Sequence, residues 1–479
     1  MSQNIYVPGS NSEELIDLLV QADYLYTMNE DLPIVKRGEV AIRGTRIVYA
    51  GPQKPVGSWR ATRTINGEGK AVIPGLINSH CHTASIIFRS QTDDVIVKGA
   101  DSVGSALYTL AFPMERHIST DEWYDLAKLG CLDMIRSGIT TINDMWYAPE
   151  GLAEAVNNSG LRATIANKIF DVRLENLQNG DYTRYPKEGE KRLRDGVKFA
   201  ESLEGIGDGL ITARIATHAS DTCDSSLHIE ARAEADRLGI GMHCHAAQSK
   251  AEVSYIRNTH CCGPLVYLRD IGLLRDDVVV AHLTYADNSD LSAVAETGAS
   301  YAHCPTVYQR RGVYPKLWLI RDQGIRTGFA TDWMLNDPFE GMRNAIQATR
   351  LSLGNANAMS CKEALWLHTV GAAEALGLEK EIGSLEPNKR ADLILIDLEQ
   401  SHLQPYYGGF SSLVFYVKAS DVVTSVVNGC VIMEERQVVT LDTQEIMAVI
   451  GKQIPQWIDR LYNLGSRSLA VNDTLHFPL

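Results

Sequence analysis

Pro74-Gly75-Leu76-Ile77-Asn78-Ser79-His80-Cys81-His82 is an apolar run that ends in two histidines one residue apart. Side chains two apart on a strand point to the same side, so both imidazoles can face one point. A His-x-His of this kind is a weak signal alone. It gains weight from the pattern of the whole chain. Short apolar runs at 71–82, 140–145, 162–169, 210–219, 239–245, 278–282, 299–303 and 326–331 alternate with longer helix-length segments. That alternation is the signature of parallel βαβ units. Eight such strands fit a closed α/β barrel of (β/α)8, TIM-like type better than an open doubly wound sheet, for which no Gly-rich phosphate loop is present. Catalytic side chains then belong at the C-terminal ends of the strands. His245 closes one strand, His282 another and His303 a third, while Asp332 follows the eighth. With 13 histidines in 479 residues, so many at strand ends is not a chance pattern. Imidazoles with one carboxylate and no thiolate set point to one divalent metal ion, zinc first, with cobalt, manganese or iron as alternatives.

Outside the barrel, the stretches 22–27, 46–50, 392–397 and 422–429 are β-rich and lack a helical period. They are expected to pair into one small discontinuous β-sandwich domain formed by both chain ends. The resulting division is 1–67 for its N-terminal part, 68–375 for the metal-binding barrel, and 376–479 for its C-terminal part, with a polar tail from about 466. A chain with 45% hydrophobic and 22% charged residues has ample core for one large and one smaller unit. Its net charge of −14 argues against a nucleic-acid partner, which clustered Lys and Arg would recognise. Nine cysteines are scattered without paired spacing, as suits reduced thiols. Met1-Ser2-Gln3-Asn4-Ile5 shows no cationic region followed by an apolar run, and no stretch approaches the roughly 20 apolar residues of a membrane helix. The expectation is a soluble cytoplasmic protein that acts on a small molecule and has no membrane partner.

The order of these residues resembles the amidohydrolase superfamily, within it the branch of triazine hydrolases and nucleoside or guanine deaminases. Besides the opening stretch, the resemblance rests on Ser137-Gly138-Ile139-Thr140-Thr141, on Ala302-His303-Cys304-Pro305-Thr306, and on Gly383-Ser384-Leu385-Glu386-Pro387-Asn388-Lys389-Arg390-Ala391-Asp392-Leu393. It covers nearly the whole chain. It implies that His80, His82, His245 and Asp332 are metal ligands, and that His282 contacts the reacting water and in some members the metal. A metal there would lower the pKa of water, Asp332 would relay its proton to the leaving group, and His282 would orient and polarise. Members with two metals use a carboxylated lysine on the fourth strand. The segment 210–218 holds no lysine, and Lys168 on the third strand reads as structural or solvent-reaching. His218 resembles a substrate-facing histidine, against the alternative of a core histidine. Glu115, in Phe112-Pro113-Met114-Glu115-Arg116, matches a position where nucleoside-processing relatives hold substrate, against a surface helix glutamate. Homodimers or larger homo-oligomers are common in this family.

Three departures from the deaminase pattern stand near the metal. Deaminating relatives carry glutamate three residues after the third histidine, where this chain has Gln248 in His245-Ala246-Ala247-Gln248-Ser249-Lys250-Ala251-Glu252. An amide cannot transfer a proton near neutral pH, and losing such an acid costs on the order of 10²–10⁴ in rate. Glu252 reads as a structural acid rather than a replacement. Val307-Tyr308 replaces Ser-Asn after His303, and Trp333 replaces glycine after Asp332. Tyr308 and Trp333 could simply pack against barrel helices. Taken with Gln248, they suggest a less polar cavity with ribose recognition removed, suited to a urea, thiocarbamate, carbamate or amide cleaved at an exocyclic carbonyl, as in phenylurea and thiocarbamate hydrolases. The alternatives are an aminohydrolase or dechlorinase of an N-heterocycle such as a triazine, purine or pterin, and a non-catalytic scaffold on the same fold.

Overall fold

Gly75 divides the run 71–82 into two strands of different sheets, Lys70–Pro74 and Leu76–His82. The computed structural model, which describes residues 14–91, 107–203 and 209–468, shows why a glycine stands at this pivot. A Cβ there would lie 2.1 Å from Thr140 Oγ1, inside any tolerable contact. The Gly75 N–H donates to Asp392 O at 3.0 Å, pinning the crossing point to the C-terminal part of the chain.

From the pivot the parallel strands run in sequence order: β1 (Leu76–His82), β2 (Ile139–Trp146), β3 (Arg162–Ile169), β4 (Ile215–Ala219), β5 (Met242–Ala246), β6 (Val278–His282), β7 (Ser300–His303) and β8 (Thr327–Phe329). The expected fourth strand, 210–219, is interrupted at Arg214, whose guanidinium reaches Met242 O, Asp277 O and Leu376 O. The ring closes because the chain beyond β8 returns to pairing, with Asp332–Trp333 set against Cys81 and His82 of β1. Side chains bridge the gap between. Asn78 accepts from the Thr331 N–H (2.9 Å) and donates to Thr331 Oγ1 (2.7 Å), and Ser79 Oγ donates to Phe329 O (2.9 Å). β1, β2, β5 and β6 are buried at every residue, as a parallel sheet wrapped in helices requires.

The chain ends build a separate nine-stranded sheet. Lys70–Pro74 is its hinge, parallel to Glu14–Tyr26 and antiparallel to Leu393–Asp397, so the two ends of the sequence meet on one strand. Leu18, Val20 and Leu25 from the N-terminal side pack with Leu393, Leu395 and Val426 in a core distinct from that of the barrel. The C-terminal segment, expected as sheet and tail, also contains the helix Thr443–Ser468. Its Ile446, Ile450 and Trp457 are buried, and Trp457 Nε1–H donates to Glu122 Oε1 (2.8 Å) on the barrel helix Thr120–Arg136. Met1–Ile5 and the tail beyond 468 lie outside the described residues. All nine cysteines are unpaired. No helix among the described residues is long and apolar enough to cross a membrane.

Candidate active site

β1 delivers His80 and His82, β5 His245, β6 His282, and Asp332 follows β8, all at the same end of the barrel. Ligand atoms of His80, His82 and His245 lie within 4.8 Å of one another, as do those of His80, His282 and Asp332. His82 Nε2 is 3.3 Å from His245 Nε2, and Asp332 Oδ1 is 3.3 Å from His80 Nε2 and 3.7 Å from His82 Nε2. His282 and Asp332 adopt left-handed backbone, with φ of 88° and 60°. Such strain costs on the order of 1–3 kcal/mol per residue and gathers at functional sites.

The far sides of His80, His82 and His245 are engaged, whereas His282 Nδ1 is buried without a hydrogen-bond partner. His82 Nδ1–H donates to Met145 O (2.9 Å), His245 Nδ1–H to His218 O (2.5 Å), and His80 Nδ1 lies 2.9 Å from His243 Nε2. The bonds to main-chain carbonyls fix the tautomers of His82 and His245 and turn Nε2 of each towards the common point. His80 Nε2 is buried without a hydrogen-bond partner. Burial, reinforced by the neighbouring His80, holds His82 and His245 well below the ordinary imidazole range, and burial lowers His282 to about 3. Imidazoles around one carboxylate form a donor set that fits a zinc-like divalent ion.

A cavity adjoins this cluster, and Glu115, His218, Gln248, Tyr308 and Trp333 all line it. His218 Nδ1 is engaged with Thr222 Oγ1 (2.9 Å), which leaves Nε2 for the cavity. Tyr308 Oη–H donates to Gln248 O (3.2 Å), and Trp333 packs against Phe88, so both aromatic departures also support their surroundings. Glu115 is no surface helix residue. It is buried, accepts from Tyr147 Oη–H at 2.6 Å, and pairs with Lys168. Lys168, expected as structural or solvent-reaching, is 3% exposed, which excludes the second of these, and it lines the cavity wall. Glu252 does not line the cavity. It accepts from Ser220 Oγ–H and from the Ala247 and Gln248 N–H groups, holding the turn that carries Gln248. His303 stands apart from the cluster, bonded to the Tyr301 and Tyr314 hydroxyls at 2.7 and 3.3 Å. The sequence reading missed His243. A signal existed, since His243-Cys244-His245 repeats the spacing of His80-Cys81-His82.

The Amidohydrolase family matches residues 71–432. A 5-methylthioadenosine/S-adenosylhomocysteine deaminase of Pelotomaculum thermopropionicum is 32% identical over 453 residues, covering 93% of this chain and 100% of that protein. An adenosine deaminase from Xanthomonas campestris, solved with bound zinc, superposes with a TM-score of 0.84 at 24% identity over 94% of this chain and 100% of that one. The atrazine chlorohydrolase of Arthrobacter aurescens, also complexed with zinc, gives 0.79 at 21% identity over 91% and 100%. The barrel, the end sheet and the full-length match agree, and the chain belongs to the amidohydrolase family, as a hydrolase acting on carbon–nitrogen bonds.

Proposed function

We propose that this protein is a mononuclear zinc-type aminohydrolase that removes an exocyclic amino group from an N-heterocycle carrying a hydrogen-bonding substituent. The observation that carries this reading is Glu115. Its carboxylate is buried on the wall of the cavity beside the histidine cluster, and Oε1 has no hydrogen-bond partner. A buried acceptor at that wall calls for a hydrogen-bond donor on the substrate, which a substituent on a heterocycle supplies as well as a urea N–H does. The deaminase relative supports the heterocycle, so the N-heterocycle alternative replaces carbonyl hydrolysis as the leading reading.

His80, His82, His245 and Asp332 would hold the ion, which supplies Lewis acidity and water of lowered pKa. Asp332 takes the proton of the attacking water and returns it to the departing nitrogen. His282 orients that water and hydrogen-bonds the developing charge on the ring. Gln248 donates an amide N–H to a ring nitrogen without protonating it, and His218 and Glu115 fix the ring and its substituent. A cytoplasmic homodimer or larger homo-oligomer belongs to the same proposal, by family resemblance.

Metal analysis with ammonia release on aminopurines, aminotriazines and aminopterins tests the reading. The expected result is one zinc-type ion per chain and turnover within one ring class. A fully metallated enzyme that ignores every ring but releases amine from aryl ureas would restore the carbonyl reading, which Gln248 favours.

A further inference from the structure

Arg311 lines the active-site cavity but has no part in the chemistry above. It stands among the residues at which this chain leaves the deaminase pattern. The Arg311 N–H donates to Tyr308 O at 3.0 Å, and its guanidinium lies 5.5 Å from the centre of the Trp333 ring. Tyr308 in turn donates its hydroxyl to Gln248 O at 3.2 Å. Gln248, Tyr308, Arg311 and Trp333 therefore form one connected patch of the cavity wall.

This patch is not the wall that holds Glu115. Lys168, the partner of Glu115, projects from β3, and Arg311 follows β7, four strands away in a ring of eight. The two cations thus belong to opposite walls. Lys168 and Glu115 pair at 3.4 Å, so their wall presents no net charge. Among the described residues lining the cavity, the other charged groups are Asp332 and Arg311, and Asp332 is a ligand of the proposed ion. A divalent ion leaves such a cavity positive, which favours an anionic ligand over a neutral one. A guanidinium has five N–H donors, no acceptor and a flat fork that matches a carboxylate. Packing against Trp333 holds that fork at the wall. The glutamine at 248 gains a reason as well, since a glutamate in the same patch would repel an acidic ligand.

We infer that Arg311 is a specificity-determining residue that binds a carboxylate carried on the substrate ring, on the side of the cavity opposite Glu115. This rests on the N-heterocycle reading, because it describes the ring that the enzyme accepts.

The test is calorimetric titration of the zinc-loaded full chain with 6-aminonicotinate against 6-aminonicotinamide, and with pterin-6-carboxylate against its amide. Each pair differs in charge and hardly in shape. Wild type should bind the acid tighter in at least one pair by on the order of 10–100-fold, the worth of a hydrogen bond to a charged group. Arg311→Met should bring that ratio below about threefold, and Arg311→Lys, which keeps the charge without the fork, should retain part of it. Should the methionine variant not fold, Arg311→Gln is read against the same threshold. Acid and amide that bind wild type alike overturn the inference, as do acids that fail to bind. An acid preference that survives loss of the guanidinium also overturns it, because the carboxylate then sits on the ion. Ammonia release is scored separately: if no ring is turned over the functional reading fails, while the acid-to-amide ratio still decides the role of Arg311.

Discussion

His80 Nδ1 lies 2.9 Å from His243 Nε2, and both rings are fully buried. For His80 to offer its Nε2 lone pair to a metal, its proton must sit on Nδ1 and be donated to His243. The proton of His243 then sits on its own Nδ1, which is buried without a partner. His82 and His245 donate to main-chain carbonyls, whereas His80 depends on a side chain that substitution can remove. His243→Leu should therefore weaken metal binding by about 10–100-fold, the usual effect of losing an outer partner of a ligand. Competition with a chromophoric chelator measures it. His243→Asn, which keeps an acceptor, should recover part of the loss, and unchanged affinity in the leucine variant would remove His243 from this role.

Gln248 sets the second expectation. If protonation of a ring nitrogen limits turnover, Gln248→Glu supplies the missing acid and should raise ammonia release on the preferred ring by on the order of 10²–10⁴. Steady-state kcat on that ring, with metal content held equal, is the measurement. The same variant should not accelerate cleavage of an aryl urea, where one proton from Asp332 suffices. A rate unchanged on the ring would mean that Gln248 already meets what the substrate requires.

The barrel was legible because its strands are short apolar runs, three of which, β1, β5 and β6, carry a histidine of the cluster near their ends, and β3 and β6 fall on the expected residues 162–169 and 278–282. Periodicity could not show that 71–82 serves two sheets, because the break at Gly75 arises from contact with Thr140, 65 residues along. The burial of Lys168 was hidden for the same reason, since its partners Glu115 and Tyr147 come from other elements. The helix Thr443–Ser468 was overlooked although Ile446, Ile450, Trp457 and Leu461 mark one helical face, with Pro455 interrupting the pattern. Ligand residues survive such errors because strand ends converge whatever the exact boundaries.

Glu252 and Asp221 are buried together behind the Gln248 turn. Burial first, then the Asp221 charge, pushes Glu252 to about 8, and burial raises Asp221 to about 6. A carboxyl with a raised pKa binds its proton more tightly folded than unfolded. Its contribution to stability is complete below about 4.5, the ordinary value for glutamate, and is lost as pH rises through about 8. The melting temperature should therefore fall between pH 5 and pH 8.5. Asp221→Asn removes the like charge, lowers the Glu252 pKa and should flatten that slope. An equal slope in both proteins would show that this pair does not govern the pH response.

Arg162 and Asp392 tie the foot of β3 to the end sheet. Nε to Oδ2 is 2.8 Å and Nη2 to Oδ1 is 3.1 Å, with side chains 10% and 3% exposed, and Asp392 Oδ1 also accepts the Asn428 N–H at 2.7 Å. A buried bidentate pair adds little net stability over apolar residues of the same size, but leaving one partner alone strands a charge out of water. Asp392→Ala should therefore cost about 3–5 kcal/mol, read as a lower denaturation midpoint in urea. Arg162→Met with Asp392→Leu should recover much of that loss, because neither residue then buries an unpaired charge. A double variant as unstable as the single would mean that the Asn428 bond and the Asp392 backbone contacts, rather than the charge pair, hold the two sheets together.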